Sequence, residues 1–186
     1  MFTGIVQAVG RIVRVQPLEV ECPAFDLADV AVGGSICVQG VCLTVTAITP
    51  LGFTADVSGE TLRVTWGLDR PGEVNLEKSL AMGEPIGGHL VTGHVDGVGK
   101  VLQFANGLLQ VRAPPDLRRY IARKGSICVD GVSLTVNRVE SDVFEVNLIP
   151  HTLQVTTLSR LSPGAKVNLE VDLIARYVER VISASR

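Results

Sequence analysis

Two stretches of this chain are almost the same. Gly34 to Val45 reads GSICVQGVCLTV and Gly125 to Val136 reads GSICVDGVSLTV, identical at ten of twelve positions and offset by 91 residues. Further pieces recur in the same order: TGIVQAVGRI from Thr3 and TGHVDGVGKV from Thr92, Glu60-Thr61-Leu62 and His151-Thr152-Leu153, Pro71-Gly72 and Pro163-Gly164, Val74-Asn75-Leu76-Glu77 and Val167-Asn168-Leu169-Glu170. Solenoid repeats run to roughly 20–50 residues, so a period this long is a whole small domain. The chain is therefore two copies of one unit, and whatever the unit does it does twice. The GEPIGG stretch, Gly83 to Gly88, carries the breakers of a linker. It sets the expected boundary: one copy over 1–88 and the other over 89–186, with a terminal helix at about 174–186.

Each copy reads as β-structure. Runs rich in Val, Ile, Leu and Thr lie near 3–15, 35–49, 53–57 and 73–77, separated by Gly, Pro, Asp and Asn. So many short strands in so short a unit predict a small barrel or sandwich, and the barrel is preferred because full closure removes exposed edges. The expected fold is all-β: two homologous, Greek-key-like β-barrels in tandem plus a C-terminal α-helix. That helix is the one convincing helical pattern, with Ile174, Tyr177, Val178, Val181 and Ile182 on one stripe and Arg176, Glu179 and Arg180 opposite. Asp172 stands where an N-cap belongs. A shorter helical turn is predicted from Asp116 to Arg123, capped by Asp116 and stopped at Gly125.

Composition removes several functions. Basic and acidic residues number 17 and 19, so no excess of Lys and Arg is on offer to phosphates. Eight aromatics are too few for a base-stacking platform. No apolar run reaches the ~18 residues of a membrane span, and MFTGIVQAVGRIV lacks the pattern of a signal peptide. Cys22, Cys37, Cys42 and Cys128 form no CxxC pair and read as reduced thiols of a cytoplasmic protein. GVSLT is no nucleophile elbow, GGHLVTGH has no P-loop Lys, and GVGKVL is not GxGxxG. His89 and His94 lack a third ligand, so no metal is expected.

The repeated strand offers a surface instead. In VCLTV, Val41, Leu43 and Val45 share one face and Cys42, Thr44 and Thr46 the other; the second copy sets Val132, Leu134 and Val136 against Ser133, Thr135 and Asn137. The aliphatic face fills the barrel. The small polar face, beside Gly40 or Gly131, leaves room for a flat polar ligand to approach the backbone. Presence in both copies favours a ligand surface over a solvated strand, and Cys42 in place of Ser133 makes the two surfaces unequal.

Taken in order, MFTGIV, GVCLTV, IGGHLVTGHVDG, GVSLTVN, NLIPHT and VNLEVD followed by a helix resemble the riboflavin synthase family over essentially the whole chain. Gln39 stands where the family often has Asn, and the connection from Ala24 to Gly33 is short. The resemblance implies dismutation of two 6,7-dimethyl-8-ribityllumazine molecules without metal or redox cofactor. It also implies a homotrimer whose active sites lie between subunits, with neither nucleic acid nor membrane as partner. By motif it implies one pocket from Gly4, Ile5 and Val6, Cys42, Leu43 and Thr44, and Asp56, Val57, Ser58, Gly59, Glu60 and Thr61. The other pocket would take Gly93, His94 and Val95, Ser133, Leu134 and Thr135, and Asn147, Leu148, Ile149, Pro150, His151 and Thr152. Lys124 would reach the ligand on an adjacent subunit. Cys42, Ser133, His94 and Asp172 are the implied candidates for chemistry. A non-catalytic lumazine- or flavin-binding relative is the alternative, but such proteins keep one pocket and lose site residues, whereas Cys42, Ser133, Thr135, Lys124 and Asp172 are all present here.

Overall fold

The structure, a computed structural model, describes residues 1–184. It contains two closed, six-stranded antiparallel barrels. The first is built from β1 (Ala8–Val15), β2 (Leu18–Glu21), β3 (Ser35–Val38), β4 (Val41–Thr49), β5 (Gly52–Ala55) and β6 (Gly72–Lys78). The second is built from β7 (Gly97–Ala105), β8 (Leu108–Arg112), β9 (Ser126–Val129), β10 (Val132–Glu140), β11 (Val143–Asn147) and β12 (Lys166–Val171). Around the first barrel the order is β1-β2-β5-β4-β3-β6, and the second repeats it strand for strand.

The duplication extends to irregularities. β1 and β7 slip register after Ile12 and Val101, and β4 and β10 after Val45 and Val136. Such bulges bend a strand, and short barrels need the bend to close. Gln39-Gly40 and Asp130-Gly131 join β3 to β4 and β9 to β10 with positive φ at both positions, the two-residue turn whose twist suits a hairpin.

The alternation read from VCLTV holds. Val41, Leu43 and Val45, like Val132, Leu134 and Val136, are buried in two separate cores, around Phe53 and around Phe144. Other readings need correction. Residues 3–7 are not strand: β1 begins at Ala8, and only Phe2 makes an isolated bridge, to Val91. β2 is too short to stand out. Two six-residue helices, α1 (Gly59–Val64) and α2 (Pro150–Val155), bury no side chain completely and so show no apolar stripe. The expected turn over Asp116–Arg123 is a 3₁₀ helix over Arg118–Tyr120 without a side-chain cap, because Leu117 and Ile121 are drawn into the second core. The terminal helix is α3 (Leu173–Ala184), with the last two residues of the expected 174–186 span outside the described residues.

The barrels interlock about a pseudo-twofold axis. Phe2 and Val91 exchange backbone hydrogen bonds of 2.7 and 3.0 Å. Beside them, the Thr3 amide and hydroxyl and the Gly4 amide donate to Glu77 at 2.7, 2.8 and 3.0 Å. Thr92 and Gly93 repeat the clasp on Glu170 at 2.7, 2.7 and 2.9 Å. Both glutamates are almost fully buried, which raises their pKa, while these hydrogen bonds oppose the rise. At the far end, the Asn75 side chain donates to the Asp130 carbonyl at 2.8 Å and the Asn168 side chain to the Gln39 carbonyl at 2.9 Å.

Candidate functional site: two exchanged ligand surfaces

Past the glutamate clasps the chain crosses over. The Ser133 amide donates to the Gly4 carbonyl, and the Cys42 amide to the Gly93 carbonyl, each at 2.8 Å. Val6 packs on the second core and Val95 on the first. The crossing needs glycine: Gly4 and Gly93 have φ of +75° and +77°, and a Cβ on either would lie 2.6–2.7 Å from Ser133 or Cys42.

This corrects the expected grouping. Gly4–Val6 lines the surface of Ser133–Thr135, and Gly93–Val95 that of Cys42–Thr44. Each surface is thus built by one barrel and flanked by the segment leading into the other. The reason is the pairing of Phe2 with Val91, a non-local contact that neither copy encodes alone.

The remaining candidates follow from β-register. Ala55 pairs with Val45, so Asp56–Thr61 runs on beside Thr44. Val146 pairs with Val136, so Asn147–Thr152 runs on beside Thr135. Ser58 caps α1, its hydroxyl accepting from the Thr61 amide at 3.0 Å. Thr65 and Thr156 donate their hydroxyls to the Thr61 and Thr152 carbonyls, each at 2.7 Å, fixing the two loops alike. Thr44, Asp56, Ser58, Gly59 and Glu60 are exposed, as are Thr135, Asn147, Ile149, Pro150 and His151. Leu43, Leu134 and Leu148 turn their side chains into the cores, so these three can offer a ligand only backbone.

Cys42 and Ser133 occupy equivalent half-buried places. His94 is exposed on the crossing segment near Cys42, not beside Ser133. Asp172 accepts from the Ile174 amide at 2.9 Å and so caps α3, as its place in the sequence predicts. Lys124 is exposed with φ of +68°. Its amide donates to the Val136 carbonyl at 2.7 Å, as the Gly33 amide does to Val45 at 2.8 Å. The first copy shows that this backbone suits glycine, and a lysine here costs roughly 1–2 kcal/mol.

One residue of the site has no role in the sequence reading beyond the doubtful metal pair. His89 is buried, and its Nδ1 lies 2.7 Å from the Ser133 hydroxyl oxygen. The signal was Gly87-Gly88 immediately before it: a Cβ on Gly88 would meet the Thr3 carbonyl oxygen at 2.1 Å and Ser133 at 2.7 Å. A cleft of about 290 Å³ opens beside Ile5, Gln7, Pro85 and Gly87. The cavity of about 260 Å³ between the barrels, around Trp66, Arg160 and Lys166, shares no residue with either surface. Among the described residues, no group of three or more His, Cys, Asp or Glu side chains could hold a metal ion, and no helix is long and apolar enough to cross a membrane.

The lumazine binding domain profile matches twice, over residues 3–79 and 92–172. The chain belongs to the lumazine-binding family. Its relatives include the riboflavin synthase of Mycobacterium tuberculosis (strain ATCC 25618 / H37Rv), 44% identical over all of both chains. That of Photobacterium leiognathi is 43% identical over all of this chain and 91% of its own length. Among solved structures, LumP complexed with 6,7-dimethyl-8-(1'-D-ribityl) lumazine superposes with a TM-score of 0.79 at 26% identity, covering 92% of this chain and 99% of LumP. LumP complexed with riboflavin gives 0.79 at 28% identity with the same coverage. The two lumazine-binding domains are the two barrels that end in β6 and β12.

Proposed function

We propose that the chain is a riboflavin synthase: it dismutates two 6,7-dimethyl-8-ribityllumazine molecules into riboflavin and 5-amino-6-ribitylaminouracil by moving a four-carbon unit from one to the other. The observation that carries this reading is the pair of equivalent surfaces with Cys42 on one and Ser133 on the other, in a chain matched along its full length by riboflavin synthases. Two like surfaces suit two identical substrates, and one unlike residue lets them take different parts.

Each surface offers backbone groups of β4 or β10 and the hydroxyl of Thr44 or Thr135 to the pyrimidinedione edge. The exposed polar loops, Asp56–Thr61 and Asn147–Thr152, take the ribityl chain. A proton must leave the 7-methyl group of one lumazine while a nucleophile adds at C7 of the other. Cys42, Ser133, His94 and Asp172 are the side chains for that chemistry. Positioning of two bound reactants can supply ~7–11 kcal/mol of the acceleration, and oriented donors to the deprotonated methyl group add to it.

We place the active site between subunits of a homotrimer. Both surfaces are open in one chain, and five apolar residues of α3, Ile174, Tyr177, Val178, Val181 and Ile182, are each more than half exposed. Burying such a side chain contributes ~1.5–3 kcal/mol, which makes α3 the natural assembly element. Lys124 then serves the site of an adjacent subunit. The division at residues 88 and 89 separates the two lumazine-binding units, and the four free cysteines suit a reducing cytoplasm.

The test is to mix the purified full-length protein with the lumazine and follow absorbance. Riboflavin must appear at one per two lumazines consumed. A spectral shift without turnover would instead make the chain a lumazine- or flavin-binding protein.

A further inference from the structure

Three of the four thiols meet where the barrels touch. Cys37 and Cys128, the equivalent residues of β3 and β9, are each 1% exposed and pack with Phe2 and Val91, and Cys42 lies against the same cluster. Cys22 is elsewhere, in the first core. Cys37 and Cys42 are also direct register partners across the β3–β4 hairpin. Their neighbours Ile36, Val38, Val41 and Leu43 face the first core, so both cysteine side chains project from the opposite face of the sheet.

The backbone settles the kind of pairing. A strand residue directs its N–H and C=O to one side, and the Cys42 amide turns away from β3, to the Gly93 carbonyl. Cys37 and Cys42 therefore form a non-hydrogen-bonded pair, in which opposite Cα atoms lie about 4.5 Å apart and side chains approach most closely. A disulfide spans roughly 4.4–6.8 Å between Cα atoms, so this hairpin can close one with little backbone movement. The second copy has no counterpart, because there Cys128 is paired with Ser133. The two thiols of the hairpin differ in access. Cys42 is half-exposed on the ligand surface, whereas burial pushes the Cys37 thiol well above its ordinary pKa and keeps it protonated.

We propose that Cys42 and Cys37 are a modification site, an oxidant-sensitive pair that hydrogen peroxide converts to a cross-strand disulfide, taking the thiol of one ligand surface reversibly out of use. The Cys42 thiolate attacks the peroxide: an S–O bond forms, the O–O bond breaks, and hydroxide leaves to take up the proton the thiol gave up. The Cys37 sulfur then attacks the Cys42 sulfur: the S–S bond forms, the S–O bond breaks, and the hydroxyl group leaves as water with the Cys37 proton. Both thiols are oxidised, and the peroxide is reduced to water. A dithiol reverses the step by exchange. In reducing compartments, transient disulfides of this kind serve as redox sensors. The bond does not depend on the riboflavin synthase reading, but its effect on turnover rests on it.

The experiment exposes full-length reduced protein, freed of small thiols, to excess hydrogen peroxide, as wild type, Cys37→Ala and Cys128→Ala. Neither substituted residue belongs to a ligand surface, so both variants start from wild-type turnover. Wild type is expected to fall from four free thiols to two. Its tryptic fragment 15–63 should lose the mass of two hydrogens, with Cys22 still open to alkylation. Riboflavin formation is expected to drop about tenfold or more and to return with dithiothreitol. Cys128→Ala should behave the same. Cys37→Ala should form no such bond, and dithiothreitol should not rescue it, because a sulfenic acid without a resolving thiol goes on to sulfinic acid. The proposal is overturned if mapping of wild-type protein shows no disulfide, a Cys37–Cys128 bond or an intermolecular one. It is equally overturned if Cys37→Ala recovers as fully as wild type. The mapping uses wild-type protein alone, so it decides even where a variant fails to fold. Should reduced wild type form no riboflavin, the enzymatic reading fails, and the mapping still decides the disulfide.

Discussion

Asp130 is the most consequential ionisable group between the barrels. It is 3% exposed in the turn between β9 and β10, and its carboxylate accepts from the Asn168 amide at 2.8 Å. Burial pushes its pKa from 3.8 up to about 7, against the pull of hydrogen bonds from Asn168 and Gln39. Between those two values the folded protein binds one proton that the unfolded chain does not. Stability from this group is therefore complete below pH 3.8 and is lost as the pH rises through about 7. A gap of about three units corresponds to about 4 kcal/mol, or about 8–16 °C in Tm for a chain of this size. Asp130→Asn removes the titration while keeping an acceptor for Asn168, and Asn tolerates the φ of +49° found there. Unfolding in urea at intervals from pH 4 to 9 should show the variant gaining on wild type by about 1.4 kcal/mol per pH unit up to pH 7, then holding level. Glu77 and Glu170 shift in the same direction, but they are common to both proteins and cancel in the difference. A variant-minus-wild-type difference that stays constant across the range would refute the reasoning.

Cys42→Ser should lower kcat on the order of tenfold or more by replacing the better nucleophile, with riboflavin binding by fluorescence titration little changed; wild-type turnover would make the thiol mere packing. Gly40→Ala should cost roughly 2–4 kcal/mol in chemical denaturation. Gly40 has φ of +86°, and a Cβ there would lie 2.9 Å from the Gly131 nitrogen, where the turns of the two barrels meet. Truncation after Leu173 should give sedimenting monomers with both barrels folded and with riboflavin formation abolished. A truncated trimer would remove α3 as the assembly element, and a fully active monomer would remove the intersubunit site.

Much of this architecture is legible in the sequence because it is local and repeated. The alternation in VCLTV works because β4 and β10 each bury one face only, so period two survives in the residue types. The α3 stripe is legible for the same reason. β2, with four residues, and α1 and α2, with six each, are too short for any period to show. The repeated Glu of VNLE and the repeated Thr-Gly were visible, yet nothing in either motif says that Glu77, at the far end of the sequence copy, holds Thr3 and Gly4 beside the start of β1. Crossing of the lead-in segments is invisible for a stronger reason: it depends on Phe2 meeting Val91, and pairing between copies leaves no mark on either copy. His89 illustrates the same limit, since its meaning comes from Ser133, far along the chain.

The exchange of those lead-in segments also governs the order in which the molecule can be finished on the ribosome. Synthesis delivers all six strands of the first barrel by Lys78, but the Cys42 surface lacks its flank until Gly93–Val95 emerges. Gly4–Val6 is anchored within its own barrel through the Gly4 amide on Glu77, but it flanks no ligand surface until β10 exists. Domains generally fold as units while the chain lengthens. Here a nascent first barrel can close its core yet presents only an unfinished ligand surface, and substrate capture waits on the second copy.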